Sequence, residues 1–181
     1  SQALTAIGLA MRANQQYDDA LLYFDRAIAT TDNNTIDIQL EIAKTYTLAQ
    51  RYSEAENVFQ DSLETLNENT DAEAFAVIHN GLGNIYRATH QLEKAIHEWM
   101  LAFKYYESQS DHNQTARIIC DMAQARYQLG DGKRAMSDYE RALLLLNSVD
   151  RETKGIVMAN AAIAYADKGD VPTTESFFAE A

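Results

Sequence analysis

Residues 92–102, LEKAIHEWMLA, carry the pattern that decides the fold: a small residue, Ala95, an aromatic four positions on, Trp99, and a second small residue three further, Ala102. The same pattern occurs in YDDALLYFDRA (17–27), YSEAENVFQDS (52–62), GKRAMSDYERA (132–142) and VPTTESFFAEA (171–181). Its leading residues are Ala20, Ala55, Ala95, Ala135 and Thr174, its aromatics Phe24, Phe59, Trp99, Tyr139 and Phe178, and its closing residues Ala27, Ser62, Ala102, Ala142 and Ala181. A fixed period makes each stretch one module of an array rather than an independent motif. Twelve residues before each leading position stands another small one, Gly8, Ala43, Gly83, Ala123 or Ala162. Each module therefore reads as two antiparallel helices whose backbones approach at the small residues while the aromatic fills the space beside them. Successive modules are offset by 35, 40, 40 and 39 residues, the length of two helices of about four turns with short connections.

Local signals agree with this division. Gly130-Asp131 and Gly169-Asp170 supply a helix-ending glycine followed by an N-cap inside modules four and five. Pro172 falls in a first helical turn, where proline is tolerated. Ser53-x-x-Glu56 and Thr70-x-x-Glu73 read as capping boxes. Polar segments at 31–35, 67–71, 108–113 and 147–150 read as loops, so the modules span roughly 1–34, 35–69, 70–110, 111–149 and 150–181.

Composition narrows the class further. With 181 residues, 46% apolar, one proline and seven glycines, the chain suits a single all-α array and not a loop-rich or all-β domain. Fifteen Lys and Arg against 27 Asp and Glu give a net charge of −12, which opposes nonspecific attraction to nucleic acid or anionic lipid. No apolar run approaches the roughly 20 residues that span a bilayer; the longest aliphatic stretch is Leu143 to Leu146. The single cysteine, Cys120, fits a reducing compartment and a cytoplasmic location. The opening at Ser1 and the end at Ala181, inside the pattern, read as a piece of a longer chain.

These residues resemble tetratricopeptide repeats over nearly the whole chain. The family pattern asks for a bulky residue, an apolar-small pair and an aromatic on the first helix, then small, aromatic and small residues on the second; Gly83-Asn84-Ile85-Tyr86 with Lys94-Ala95 follows it closely. Tyr46, Tyr86 and Tyr165 hold the first-helix aromatic position, module one has Met11 there, and module four departs with Arg126 followed by Tyr127. A spacing near 40 resembles the longer-repeat branch, such as kinesin light chains, spindle-orientation adaptors and bacterial peptide-sensing regulators. The resemblance implies a right-handed α-solenoid of about five helical hairpins whose first helices line a concave groove.

Counting the small first-helix residue as position eight, helical periodicity sends positions two, five, nine and twelve to that groove. The side chains expected there include Arg12, Lys44, Asn80, Asn84, Arg87, Arg117, Gln124 and Tyr127, with Asn160 flanking the row. Over five modules these positions hold four cations, Arg12, Lys44, Arg87 and Arg117, and one carboxylate, Asp37. The local bias reverses that of the chain, so the expected partner is a peptide carrying acidic residues. Asn80 and Asn84, four apart on one face, suit hydrogen bonding to a peptide backbone. Against this, Arg stems also serve to cover apolar surface, and Glu41, Asp121 and Asp167 lie beside the row. The Lys and Asn set by which the family's carboxylate clamp holds chaperone tails is absent.

Catalytic and cofactor signals are weak. His79, His90, His97 and His112 have no metal-ligand spacing, His79 sits at a packing position, and Cys120, at a groove position by the same count, reads as a small apolar filler rather than a reactive thiol. Gly81-Leu82-Gly83 follows no strand and lacks the third glycine of a dinucleotide fingerprint, and Asp18-Asp19 and Glu54-Glu56 suit helix starts. Tyr105, Tyr106 and Phe103 are expected to fill the longer helix–helix layer. The expectation is a non-catalytic, cofactor-free scaffold that binds a protein or peptide and neither nucleic acid nor membrane. Two alternatives stand beside it: a peptide-sensing domain of a larger signalling regulator, and self-association through the C-terminal end near Phe177 and Phe178.

Overall fold

The computed structural model describes residues 1–31, 35–67, 70–146, 151–167 and 169. They form helices α1 (Gln2–Ala13), α2 (Tyr17–Ala29), α3 (Ile36–Leu48), α4 (Tyr52–Thr65), α5 (Ala72–Ala88), α6 (Leu92–Ser108), α7 (His112–Gln128), α8 (Gly132–Leu145) and α9 (Arg151–Asp167), with no strand among the described residues. Chain contacts divide the protein into two compact units, Ser1–Thr89 and His90–Ala181. The expected second helix of module five, with Pro172, Thr174, Phe177, Phe178 and Ala181, lies outside the described residues, as do Asp170, most of the 31–35 loop and the whole of 147–150.

In the first unit α1 packs on α2, α3 on α4, and α5 on α4 and α3. In the second, α7 packs on α8 and α6, and α9 on α8 and α7. Within each unit successive hairpins lie on one another, the all-α helical-repeat solenoid architecture. The repeated small and aromatic positions are its core: Ala20, Ala55, Ala95 and Ala135, then Phe24, Phe59, Trp99 and Tyr139, then Ala27, Ser62, Ala102 and Ala142 are all buried. The contact is so close that a Cβ added at Gly8 would lie 2.6 Å from the Phe24 ring. Gly81, noted above only for a false fingerprint, holds α5 against the preceding hairpin: a Cβ there would lie 2.4 Å from the Phe59 ring.

The turn after each first helix also repeats. Gln15, Gln50, His90 and Gly130 are its middle residues, with positive φ of 61°, 59°, 59° and 84°, and Gly169, with φ 81°, stands at the corresponding place after α9, all at the offsets of the core pattern. The third turn residue closes back on the first helix, as Gln16 N–H donates to Met11 O at 2.9 Å, Arg51 to Tyr46 at 2.8 Å and Asp131 to Arg126 at 2.9 Å. This is the Schellman closure, normally built on glycine because only glycine enters left-handed backbone without steric cost. Ser110, at φ 54°, makes the same closure between α6 and α7, where Asp111 N–H donates to Tyr106 O at 3.0 Å. Asp111 and Asp131 then cap the following helices through Gln114 N–H at 3.0 Å and Arg134 N–H at 3.3 Å.

The two expected capping boxes do not form. α4 begins at Tyr52 after Arg51, so Ser53 lies inside its first turn, and no side chain caps that end. Glu56 accepts instead from Tyr86 Oη at 2.7 Å, tying α4 to α5. Thr70 Oγ1 donates to the Asp71 carboxylate, which also accepts Asn67 N–H. Tyr165 likewise donates to Glu140, tying α9 to α8. Where module four lacks the aromatic, half-buried Arg126 forms an ion pair with Asp138 of α8, so a charged contact takes the ring's place. Tyr106 is buried, and Phe103 packs under the Arg141 guanidinium at 4.9 Å.

Gly81→Ala gains about 1 kcal/mol of helix propensity but drives a methyl into the fully buried Phe59, a clash of roughly 1–3 kcal/mol. Urea unfolding is expected to show a net loss of about 1 kcal/mol. Gln50→Gly, which relieves a left-handed non-glycine residue, is expected to gain about 0.5–1 kcal/mol.

Candidate functional site

In the first unit, the face opposite the packed small residues is the one to which periodicity assigns positions two, five, nine and twelve. Thr5, Leu9 and Arg12 from α1, Asp37, Leu40 and Lys44 from α3, and Val77 from α5 line a single depression of about 750 Å³. Ile36, Ile38 and Glu41 of α3, Leu66, Thr70 and Asp71 before α5, and Glu73 and Ala74 of its first turn complete the wall. Glu73 stands four residues before Val77, so it extends the same helical row. It does so because α5 starts an extra turn early, a consequence of the longer repeat.

The charges in this depression differ from those expected. Arg12 Nη2 lies 2.6 Å from Glu41 Oε2, and Lys44 Nζ 2.7 Å from Glu41 Oε1. The Arg12 and Glu41 side chains are only 19% and 20% exposed. Burial alone would raise the Glu41 carboxyl, but the hydrogen bonds and charges of Lys44 and Arg12 outweigh it and hold the group below its ordinary 4.5. Two of the four cations expected to face a ligand are thus engaged by one carboxylate. The lining as a whole carries Arg12 and Lys44 against Asp37, Glu41, Asp71 and Glu73, a net negative wall. Farther along α5, Asn80 and Asn84 are half-buried and make no side-chain hydrogen bond among the described residues, and Arg87 is half-buried beyond them.

In the second unit the expected residues divide. Arg117 on α7 is exposed, with no ion pair among the described residues, while Gln124 is half-buried. Cys120 is buried rather than groove-lining, and Asn160 donates to its Sγ at 3.5 Å, which draws Asn160 toward the packing layer. Tyr127 donates to the Asp167 carboxylate on α9, and that hydrogen bond raises its phenol above the ordinary value. It lines a separate recess of about 570 Å³ with Lys133, Met136 and Ala164. The α9 row is apolar, with Ile156 and Ile163 exposed at 55% and 53%. Counting from Ala162 as position eight, they stand at groove positions two and nine of module five.

His79 is buried with its ring edge-on to Phe75, centroids 4.1 Å apart. Among the described residues no three His, Cys, Asp or Glu side chains are placed to share a metal ion, and no helix is long and apolar enough to cross a membrane.

Repeated hairpins with buried small and aromatic positions, and a first-helix face left open, define a helical-repeat protein. Tetratricopeptide repeat models match residues 3–36 and 74–148, and the chain belongs to that family. No curated protein sequence matches it. Among solved structures it is similar to BtubC (BKLC) from P. vanneervenii, at 16% identity and a TM-score of 0.84 over 97% of this chain and 76% of that one. The nearly identical TPR-like repeats of a kinesin light chain candidate from Podosopora anserina superpose with a TM-score of 0.77 at 16% identity, over 99% and 92% of the two chains. YrrB, a TPR protein with an unusual peptide-binding site, does so with a TM-score of 0.64 at 15% identity, over 98% and 82%.

The ion-pair geometry makes a pH-dependent prediction. A carboxyl held below its unfolded value stabilises the fold above that value, and the stabilisation disappears as pH falls through the folded one. Glu41→Gln is expected to cost about 1 kcal/mol in urea unfolding at about pH 7, and the difference from wild type to shrink as pH falls below the ordinary carboxylate range and Glu41 takes up its proton.

Proposed function

We propose that the chain is a non-catalytic interaction module that holds a peptide segment of a partner protein against the exposed face of its first helices. The observation that carries this reading is the convergence of seven predicted groove residues, from three helices, on one depression of about 750 Å³. Asn80 and Asn84, four apart and uncommitted, add donors and acceptors of the kind an extended backbone needs. The family is one of interaction modules, and YrrB, which shares the fold, has a peptide-binding site. A buried lone cysteine suits a reducing compartment, and we place the module in the cytoplasm.

The preference for acidic segments narrows to the second unit. Arg117 and Ile156 hold the same register position on α7 and α9, so a carboxylate next to an apolar residue suits that face: the first for the guanidinium, the second for the isoleucine row.

A display library of twelve-residue peptides selected on the whole chain tests this. Asn80→Ala with Asn84→Ala is expected to weaken selected binders about tenfold, the worth of one to two hydrogen bonds. Arg117→Glu is expected to reduce binding of those that carry Asp or Glu. Selected peptides that bind both variants as tightly as wild type would remove the first-helix face from the account.

A further inference from the structure

Resting on the peptide-binding reading, we infer that the depression of the first unit accepts a cationic side chain, the Lys or Arg of a segment in which that residue neighbours apolar ones. The inference comes from how the charges are already spent. Arg12 and Lys44 are both drawn to Glu41, which accepts from each, so the two cations are already directed at one carboxylate and the single excess positive charge of this trio is outweighed by Asp37, Asp71 and Glu73 in the same lining. The Asp71 carboxylate accepts from Asn67 N–H at 2.9 Å and from Thr70 Oγ1 at 3.3 Å. Asp37 and Glu73 are left: both line the depression, both are exposed, and neither makes an ion pair or side-chain hydrogen bond among the described residues.

The apolar part of the lining fits the other half of such a residue. Leu9, Leu40 and Val77 offer aliphatic surface along which a four-carbon ammonium stem or a guanidinium stem lies while its head reaches a carboxylate at the rim. A compact divalent ion is a poorer match, because no three ligating side chains converge among the described residues; the charge is spread along the wall, as an extended organic cation requires. An acidic side chain entering the same space would meet Asp37 and Glu73 with no unengaged cation in the lining to offset them.

The test uses the whole chain and the twelve-residue display library. Wild type is expected to enrich peptides with Lys or Arg beside apolar residues, and their affinity to fall as ionic strength rises. Asp37→Lys with Glu73→Lys is expected to weaken these peptides at least tenfold. Asp25→Lys with Asp61→Lys, the same charge change on exposed positions of α2 and α4, is expected to leave them bound. Ala74→Trp, which plugs the depression from its wall, is expected to abolish binding and reports whether a peptide occupies this space. Peptides lost with the plug but indifferent to the Asp37 and Glu73 reversal overturn the cation inference and leave the groove reading standing. Lys- or Arg-bearing peptides indifferent to the plug overturn the cation inference, and no enrichment of any peptide on wild type overturns both.

Discussion

Everything in this molecule depends on how closely a small residue lets one helix approach an aromatic ring on another. Gly8 of α1 meets Phe24 within a hairpin, and Gly81 of α5 meets Phe59 of the hairpin before, both at distances that leave no space for a methyl group. Contacts this close tolerate neither sliding nor rotation, since interiors are packed like molecular crystals. Once a helix is pinned on that side, its 3.6-residue period determines which side chains are left on the other. The open face is therefore a by-product of the packed one, and residues that never touch the core still occupy defined places.

The same logic explains how much of the protein is legible in its sequence. The repeated volumes are local and recur at a near-constant spacing, so helices, hairpins and core can be read directly. Seven residues lining the depression follow from the same period. Two kinds of feature escape. One is any interaction made across modules, whose partner is distant in sequence: Arg12 with Glu41, or Tyr86 drawing Glu56 away from the helix start it was expected to cap. The other is the left-handed turn residue, conspicuous as Gly130 but disguised as Gln15, Gln50 and His90, which share its place in the repeat.

Charge illustrates the difference between counting and pairing. The first-helix positions hold more cations than carboxylates, yet Arg12 and Lys44 are both engaged by Glu41, and Asp71 and Glu73 enter the same depression at the start of α5. In the second unit the open face is led by Arg117 and an apolar row on α9. The two faces therefore differ in charge and polarity although they arise from the same repeat. In a repeat protein the core residues conserve the spacing of the modules from one to the next, while the exposed positions between them are free to differ.

The central claim is that a partner segment lies on first helices and not on second ones. Hydrogen–deuterium exchange on the whole chain, free and saturated with a selected peptide, measures this most directly. The account predicts slowed exchange in α3 and in the first turns of α5, around Asp37 to Lys44 and Asp71 to Val77, with α2 and α4 unchanged. Slowing confined to α2 and α4 would contradict it.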